Sequence, residues 1–478
     1  MHPKIIAQSG LTHGDNLVLL AESPKTLPDG IFSDPEMKFI RDQHQQKVEM
    51  IPFNRLDHWV LVQFIPAEKD TNERREKCRT AGDKIQVLLN GHKVTRLTLF
   101  DVDLKKEESI ALLEGMSLGS YQFFKYKTDR EGANTLMEIG IFSGTVGKKE
   151  VAELNAMLNG VDFTRDLVNE PNSYLTAATF AKEIESSAVK AGITVEVLSK
   201  KKIEALKMGG LLGVNKGSHE PPLFIILEYK PGKPKNKKPI VLVGKGIVYD
   251  TGGMDLKTGS HMENMKTDMA GGAAIAGAML AIAKAKLPVH IVGLIPATDN
   301  WPGPQAIVSG DILRMHNGTT VEVINTDAEG RLILADALSY AKRYDPQLTI
   351  DLATLTGSAV RAIGKRAIAG MQSDAGAAFD QLRTCGFDVY ERIVELPLWD
   401  DYGEELKSQI ADLKNLGGPE AGAITAGKFL QKFTSYPYIH LDIAGPSFLD
   451  KRDSYRGLGA TGVGVRLLVK FFIHHFTI

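Results

Sequence analysis

The chain is 478 residues long, 43% hydrophobic and 24% charged, with 57 lysines and arginines against 58 acids and a formal net charge of −1. That length exceeds one ordinary domain and can bury a large core, while the near-neutral balance gives no global attraction to nucleic acid or to an anionic membrane. Cys78 and Cys385 form neither zinc-finger spacing nor a disulfide framework; the apolar start at Met1 to Ala7 is too short for a signal peptide and no run approaches a membrane span, so a reduced, cytoplasmic protein is expected.

Residues 1–147 read as a small α/β domain. It has strand-like runs at Trp59 to Ile65 and Thr95 to Phe100, the second alternating as a half-buried strand should, and a helical pattern around Glu107 to Leu118. No catalytic cluster is visible there. Residues 148–170 read as a linker helix, with Val151, Leu154, Met157 and Leu158 on one stripe, and Pro171 stops it. Residues 171–478 then alternate strands and helices. Short apolar runs at Leu223 to Leu227, Ile240 to Val243, Val289 to Ile295, Val321 to Ile324, Leu348 to Leu352 and Ile439 to Ile443 suit strands covered on both faces. Helical patterns at Ala270 to Lys286 and Leu332 to Lys342 separate several of them. The fold class is therefore α/β, with a small N-terminal domain and a larger domain built on a mixed, largely parallel sheet sandwiched by helices. No internal repeat is present.

Two charged clusters carry the chemistry. Asn325-Thr326-Asp327-Ala328-Glu329-Gly330-Arg331 follows the run Val321 to Ile324 and precedes a helical pattern. At a strand end, residues two apart share a side, so Asp327 and Glu329 can converge on one cation. Upstream, the run Val241 to Gly244 leads through Lys245 to Asp250, Gly252 and Gly253, then to Lys257, Met265 and Asp268. Ligands bind at the carboxyl ends of strands in open parallel sheets, and two neighbouring strand ends would pool their charges in one cleft. Asp250, Asp268, Asp327 and Glu329 cannot be buried together without compensation. Two divalent cations, Zn²⁺, Mn²⁺, Mg²⁺ or Co²⁺, held about 3.5–4 Å apart, would supply it and make a hydrolytic clamp. Ion pairing with Lys245, Lys257 and Arg331 is the alternative reading, as is helix capping by the acids before the helix.

These residues resemble the leucyl aminopeptidases, the cytosolic dimetal exopeptidases whose octapeptide Asn-Thr-Asp-Ala-Glu-Gly-Arg-Leu stands complete at Asn325 to Leu332. Lys245, Asp250, Lys257 and Asp268 keep the family's spacing. The likeness extends over the C-terminal two thirds, through Arg165 to Asn172 and Asp351 to Gly357, and is faint in the first third. It implies that Asp250 and Glu329 bridge two metals, that Lys245 and Asp268 complete the tighter site, and that Asp327 completes the exchangeable one with its backbone carbonyl as well. Lys257 would stabilise the oxyanion, and Arg331 would hold a bicarbonate acting as general base. A side-chain pocket maps to Met265, Thr354, Gly357 and Ala444. The implied activity is a hydrolase releasing N-terminal amino acids from peptides, broad with leucine preferred, by attack of metal-bound hydroxide. A cytoplasmic homohexamer, a dimer of trimers around an interior cavity that favours short peptides, comes with the family.

Departures from the family pattern leave every ligand position intact. Tyr249, Leu256 and Thr258 flank the site, and Pro446-Ser447-Phe448 follows Gly445 at the pocket rim. Two further readings of different class are a phosphoester hydrolase using the same clamp, disfavoured because the clusters lack histidine, and a binding protein. For the latter, Lys233, Lys235, Lys237 and Lys238 read as a solvated hairpin loop, so nucleic acid is not an expected partner.

Overall fold

The computed structural model describes residues 2–11 and 14–477. The chain divides into two compact units, Met1–Asp162 with Lys451–Leu458, and Phe163–Asp450 with Gly459–Ile478. A helix occupies Lys148–Asn169, and the division falls inside it.

In the first unit, six strands form one sheet in the order Lys4–Ala7, Glu138–Phe142, Arg96–Asp101, Leu17–Ala21, Trp59–Phe64 and Met50–Asn54, among the described residues. All neighbours are parallel except the last pair. The strand Arg96–Asp101 is covered on both faces, since Leu97, Thr98 and Leu99 are all buried. Its apparent alternation came from Thr98, whose hydroxyl is engaged by Asp15 Oδ2 at 3.3 Å and so tolerates burial. The helices Thr71–Gly91 and Lys106–Gly119 lie against each other through glycine. A Cβ on Gly82 would stand 2.2 Å from Leu112 O, and one on Gly115 would stand 2.0 Å from Arg79 O. Any side chain there would force the helices apart.

The second unit holds a nine-stranded sheet, again among the described residues. Its centre is the parallel set Tyr438–Asp442, Leu348–Ala353, Ile240–Gly244 and Ile291–Asn300. Antiparallel strands flank this set, Ile368–Ser373 on one side and Leu223–Tyr229 followed by Thr194–Leu198 on the other. The sheet is mixed and largely parallel in its middle, and its strands read as continuous apolar runs because helices cover both faces. One of these, Ala270–Lys284, is buried from Ala270 to Ala283. It can sit so close because it is rich in alanine and glycine: a Cβ on Gly271 would stand 2.0 Å from Leu352 O.

Three features differ from the sequence reading. The run Val321 to Ile324 is not in the main sheet; its strand, Thr320–Glu322, joins Ile312–Arg314 and Leu413–Lys414 in a separate three-stranded sheet. Asp250 does not end the strand Ile240–Gly244 but a second strand, Gly246–Asp250, which pairs with the far half of Ile291–Asn300. The lysine loop is exposed at Lys233, Lys235, Lys237 and Lys238 but is no hairpin, because the strands Leu223–Tyr229 and Ile240–Gly244 both pair with Ile291–Asn300, which lies between them. Among the described residues, no helix is long and apolar enough to cross a membrane.

Candidate metal centre

Lys245 sits in the break between two strands. Its amide donates to Leu352 O at 3.1 Å and its carbonyl accepts from Gly272 N at 2.8 Å, so neighbouring elements clamp its backbone. The side chain runs past Gly330, where a Cβ would stand 2.4 Å from Lys245 Cε. Glycine at that position is what lets the lysine through. The ammonium then lies 2.7 Å from Asp268 Oδ2 and 2.9 Å from Glu329 Oε1, and donates to Thr354 O at 3.0 Å. Burial opposes its charge, but Asp268, Glu329 and Asp250 outweigh burial and hold its pKa above the usual lysine range. In this arrangement Lys245 is a cation.

Asp250 is fixed by two donors, Gly252 N and Asn300 Nδ2, both at 2.8 Å from Oδ1. Its other oxygen lies 2.8 Å from Lys257 Nζ, which also pairs with Asp327. The turn that brings Lys257 back needs φ of +88° at Gly252 and +68° at Gly253. That region is costly for other residues, and a Cβ on Gly252 would also meet Asp255 O at 2.5 Å. Asp327 and Glu329 converge differently from the strand-pleat expectation. Glu329 opens the helix Glu329–Ala341, and Asp327 lies in the turn before it, its amide donating to Asn325 Oδ1 at 2.6 Å. A loop-to-helix turn therefore brings the two carboxylates together. Ligand oxygens of Asp250, Asp327 and Glu329 all lie within 4.8 Å of one another.

The electrostatics indicate missing positive charge. Burial raises the Asp327 carboxyl to about 7, with Asp250 and Glu329 pushing the same way and Lys257 opposing. Burial also drives Asp268 well above the usual carboxylate range, against the pull of Lys245. Asp268 Oδ1 accepts from the Lys245 ammonium at 2.8 Å, while Oδ2, an ion-pair distance from the same ammonium, has no hydrogen bond among the described residues. Two lysines do not satisfy four crowded carboxylates, and an oxygen-rich set of this kind fits hard or borderline dications. The donor set thus fits a two-metal centre, with Lys245 able to coordinate only as the neutral amine.

Arg331, buried on the first turn of the same helix, donates from Nη1 to Asn415 O at 2.7 Å. Burial lowers its pKa to about 10, with Glu329 and Asp442 opposing. Its Nε is buried and has no hydrogen-bond partner among the described residues. Thr354 Oγ1 donates to Asp268 Oδ1 at 2.8 Å. The seven charged residues singled out in the sequence and the four pocket positions, Met265, Thr354, Gly357 and Ala444, all line one cavity of about 740 Å³.

Sequence reasoning missed the residues that hold this cluster in place. Asn415, fully buried, accepts from Ile324 N at 2.7 Å and donates from Nδ2 to Asn325 O at 2.8 Å, while its carbonyl takes Arg331. Asn300 Nδ2 donates to both Asp250 Oδ1 and Thr326 O, and Asp255 Oδ2 accepts from Thr326 N at 2.7 Å. Asp442 accepts from Leu355 N, Thr356 Oγ1 and Ala444 N, joining two pocket segments. Only Asn300 left a signal, the polar Thr298-Asp299-Asn300 closing an apolar strand. Asn415 is isolated in sequence from everything it holds.

Comparison with known proteins agrees with this geometry. Residues 162–469 match the model of the cytosol aminopeptidase family, catalytic domain. A probable cytosol aminopeptidase of Geotalea uraniireducens is 46% identical over 376 residues, covering 77% of this chain and 76% of the relative. One from Geobacter sulfurreducens is 46% identical over 366 residues, covering 75% and 73%. Among solved structures, the bottromycin maturation enzyme BotP in complex with Mn superposes with a TM-score of 0.85 at 29% identity, covering 97% of this chain and 99% of that one. A mutant of tomato leucine aminopeptidase gives 0.85 at 26% identity, covering 99% and 96%. With the crowded carboxylates in the matched region and the whole architecture shared, the chain belongs to the cytosol aminopeptidase family.

Proposed function

We propose that this protein is a two-metal aminopeptidase of broad range that prefers leucine at the N-terminus. Metal-dependent removal of N-terminal residues from peptides comes with the family; the division of labour among residues is our reading. Lys245, Asp250, Asp268, Asp327 and Glu329 would hold the two cations, with Asp250 and Glu329 shared between them, Lys245 and Asp268 completing one site and Asp327 the other. The observation that carries this is the convergence of Asp250, Asp327 and Glu329 within 4.8 Å beside the pair Lys245–Asp268. When bound, the cations polarise the scissile carbonyl and lower the pKa of a water molecule.

The remaining work falls to the chain. Burial opposes the charge on Lys257, yet Asp250, Glu329 and Asp327 keep its pKa above the usual lysine value, so a fixed cation faces the cleft where an oxyanion develops. Arg331 carries an unused buried donor at Nε, which suits it to hold an anion such as bicarbonate as proton acceptor. Met265, Thr354, Gly357 and Ala444 offer small or apolar surface to the N-terminal side chain, consistent with leucine. Because Lys245 coordinates only after losing its proton, metal affinity rises with pH. We also infer a cytoplasmic homohexamer, tested by sedimentation.

The test is hydrolysis of a leucyl anilide by chelator-stripped protein as Mn²⁺ or Zn²⁺ is restored, with the N-acetylated substrate alongside. Activity that returns with metal and vanishes on acetylation supports the reading. Folded protein inactive with every metal overturns it.

A further inference from the structure

One wall of the cavity carries charge that neither the metals nor the catalytic cations account for. The helix Gly357–Ile363 starts at the cleft, capped by Thr356, whose Oγ1 accepts from Ala359 N at 3.0 Å and donates to Asp442 at 2.8 Å. Arg361, one turn in, lines the cavity, as do Lys365, Asp450, His261 and Asn264. Lys365 is already neutralised by Asp450 at 2.6 Å, and Asn264 Nδ2 reaches the same carboxylate at 3.4 Å. Arg361 is not. Its Nη2 donates to Ser358 Oγ at 2.9 Å, and among the described residues no carboxylate lies within ion-pair distance of its guanidinium.

The guanidinium lies beside the pocket lining. A Cβ on Gly357 would stand 3.4 Å from Arg361 Nη1, so this end of the side chain packs against a position assigned above to the substrate pocket. The bond to Ser358 occupies one of five N–H donors, leaving a planar fork that matches a carboxylate.

We propose that Arg361 forms an anion subsite that recognises a carboxylate on the peptide substrate close to the cleaved bond. The inference rests on the aminopeptidase reading of the cavity. The carboxylate has two sources, the side chain of an acidic N-terminal residue or the free C-terminus of a dipeptide. Because Arg361 is largely exposed, the gain is a surface-pair effect, about two- to fivefold in kcat/KM.

The experiment compares two substrate pairs, glutamyl against leucyl anilide and Leu-Gly against Leu-Gly-amide, in the wild type, Arg361→Gln and Arg361→Lys. Within one pair, the ratio favouring the carboxylate falls about two- to fivefold in Arg361→Gln and is largely kept in Arg361→Lys. The pair that responds identifies the source. Calorimetric titration with reduced-bond analogues of Leu-Gly, Leu-Gly-amide and Glu-Gly-amide, each with CH₂–NH replacing the cleaved amide, reads the same preference without turnover. Ratios unchanged by Arg361→Gln in both pairs and in the titrations overturn the proposal. A wild type that cleaves no leucyl substrate while the titrations still show an Arg361-dependent carboxylate preference overturns the aminopeptidase reading and keeps the subsite.

Discussion

Both units of this chain bury charge in an α/β framework, and they do it in opposite ways. In the first unit the charges are matched. Arg79 Nε lies 2.5 Å from Glu114, Arg74 Nε lies 2.8 Å from Glu108, and Arg452 lies 2.6 Å from Asp83. Burial disfavours the Arg74 cation, yet Glu108 and Glu22 more than restore it. In the second unit four carboxylates crowd two lysines, and burial with mutual repulsion lifts Asp268 and Asp327 out of the carboxylate range. Matched buried charge is structural, whereas several carboxylates crowded without enough cations mark a place where a ligand can supply the missing charge.

Substitutions that remove one charge should separate the two cases. The largest effect is expected from Glu329→Gln, which removes a carboxylate proposed to be shared by both metals; metal-restored leucyl anilide hydrolysis should fall by about a thousandfold or more. In chelator-stripped protein, Asp327→Asn should raise the Tm, because it relieves repulsion. Glu114→Gln should do the reverse, lowering stability by about 3–5 kcal/mol by leaving Arg79 buried with one carboxylate fewer. Denaturation with and without metal measures both signs, and a Tm lowered by Asp327→Asn in stripped protein would break the comparison.

Asn415→Ala comes next. Losing a buried amide that fixes Ile324 and Asn325 should cost about 1–3 kcal/mol of stability. It should also lower kcat more than it raises KM, since the ligand turn and Arg331 lose their register with one another. Restored kcat in Asn415→Ala at saturating metal would leave the residue a purely structural role.

The smallest effect is on pH dependence. Burial lifts Asp336, which accepts from Leu211 N and His316 N, to about 7, although these and the Gly210 amide oppose the shift. Its folded pKa is above its unfolded one, so its contribution is fully present below about pH 4 and is lost as pH rises towards 7. Asp336→Asn should flatten that part of the stability profile.

How much of this was legible in the sequence depended on distance along the chain. The proposed ligand residues fall in two short segments, and their charge pattern at the ends of apolar runs was visible without coordinates. The central parallel strands were legible for the same reason, as continuous apolar runs such as Leu348–Ala353. What failed was pairing: nothing local in Thr320–Glu322 says that its partner is Leu413–Lys414 and not the main sheet. Glycines marked the tight turns, but only coordinates reveal that Gly330 is small so that Lys245 can pass. Asn415 and, apart from its bond to Ala444 N, Asp442 are hydrogen-bonded to residues 84 to 91 positions away and leave little local trace.

The central claim is that the crowded carboxylates form a two-cation site. Calorimetric titration of chelator-stripped protein with Mn²⁺, repeated in buffers of different ionisation enthalpy and with Glu329→Gln, tests it most directly. The account predicts two Mn²⁺ per chain, protons released on binding from Lys245 and the raised acids, and loss of tight binding in Glu329→Gln. Binding that is absent, or that is indifferent to Glu329→Gln, would contradict it.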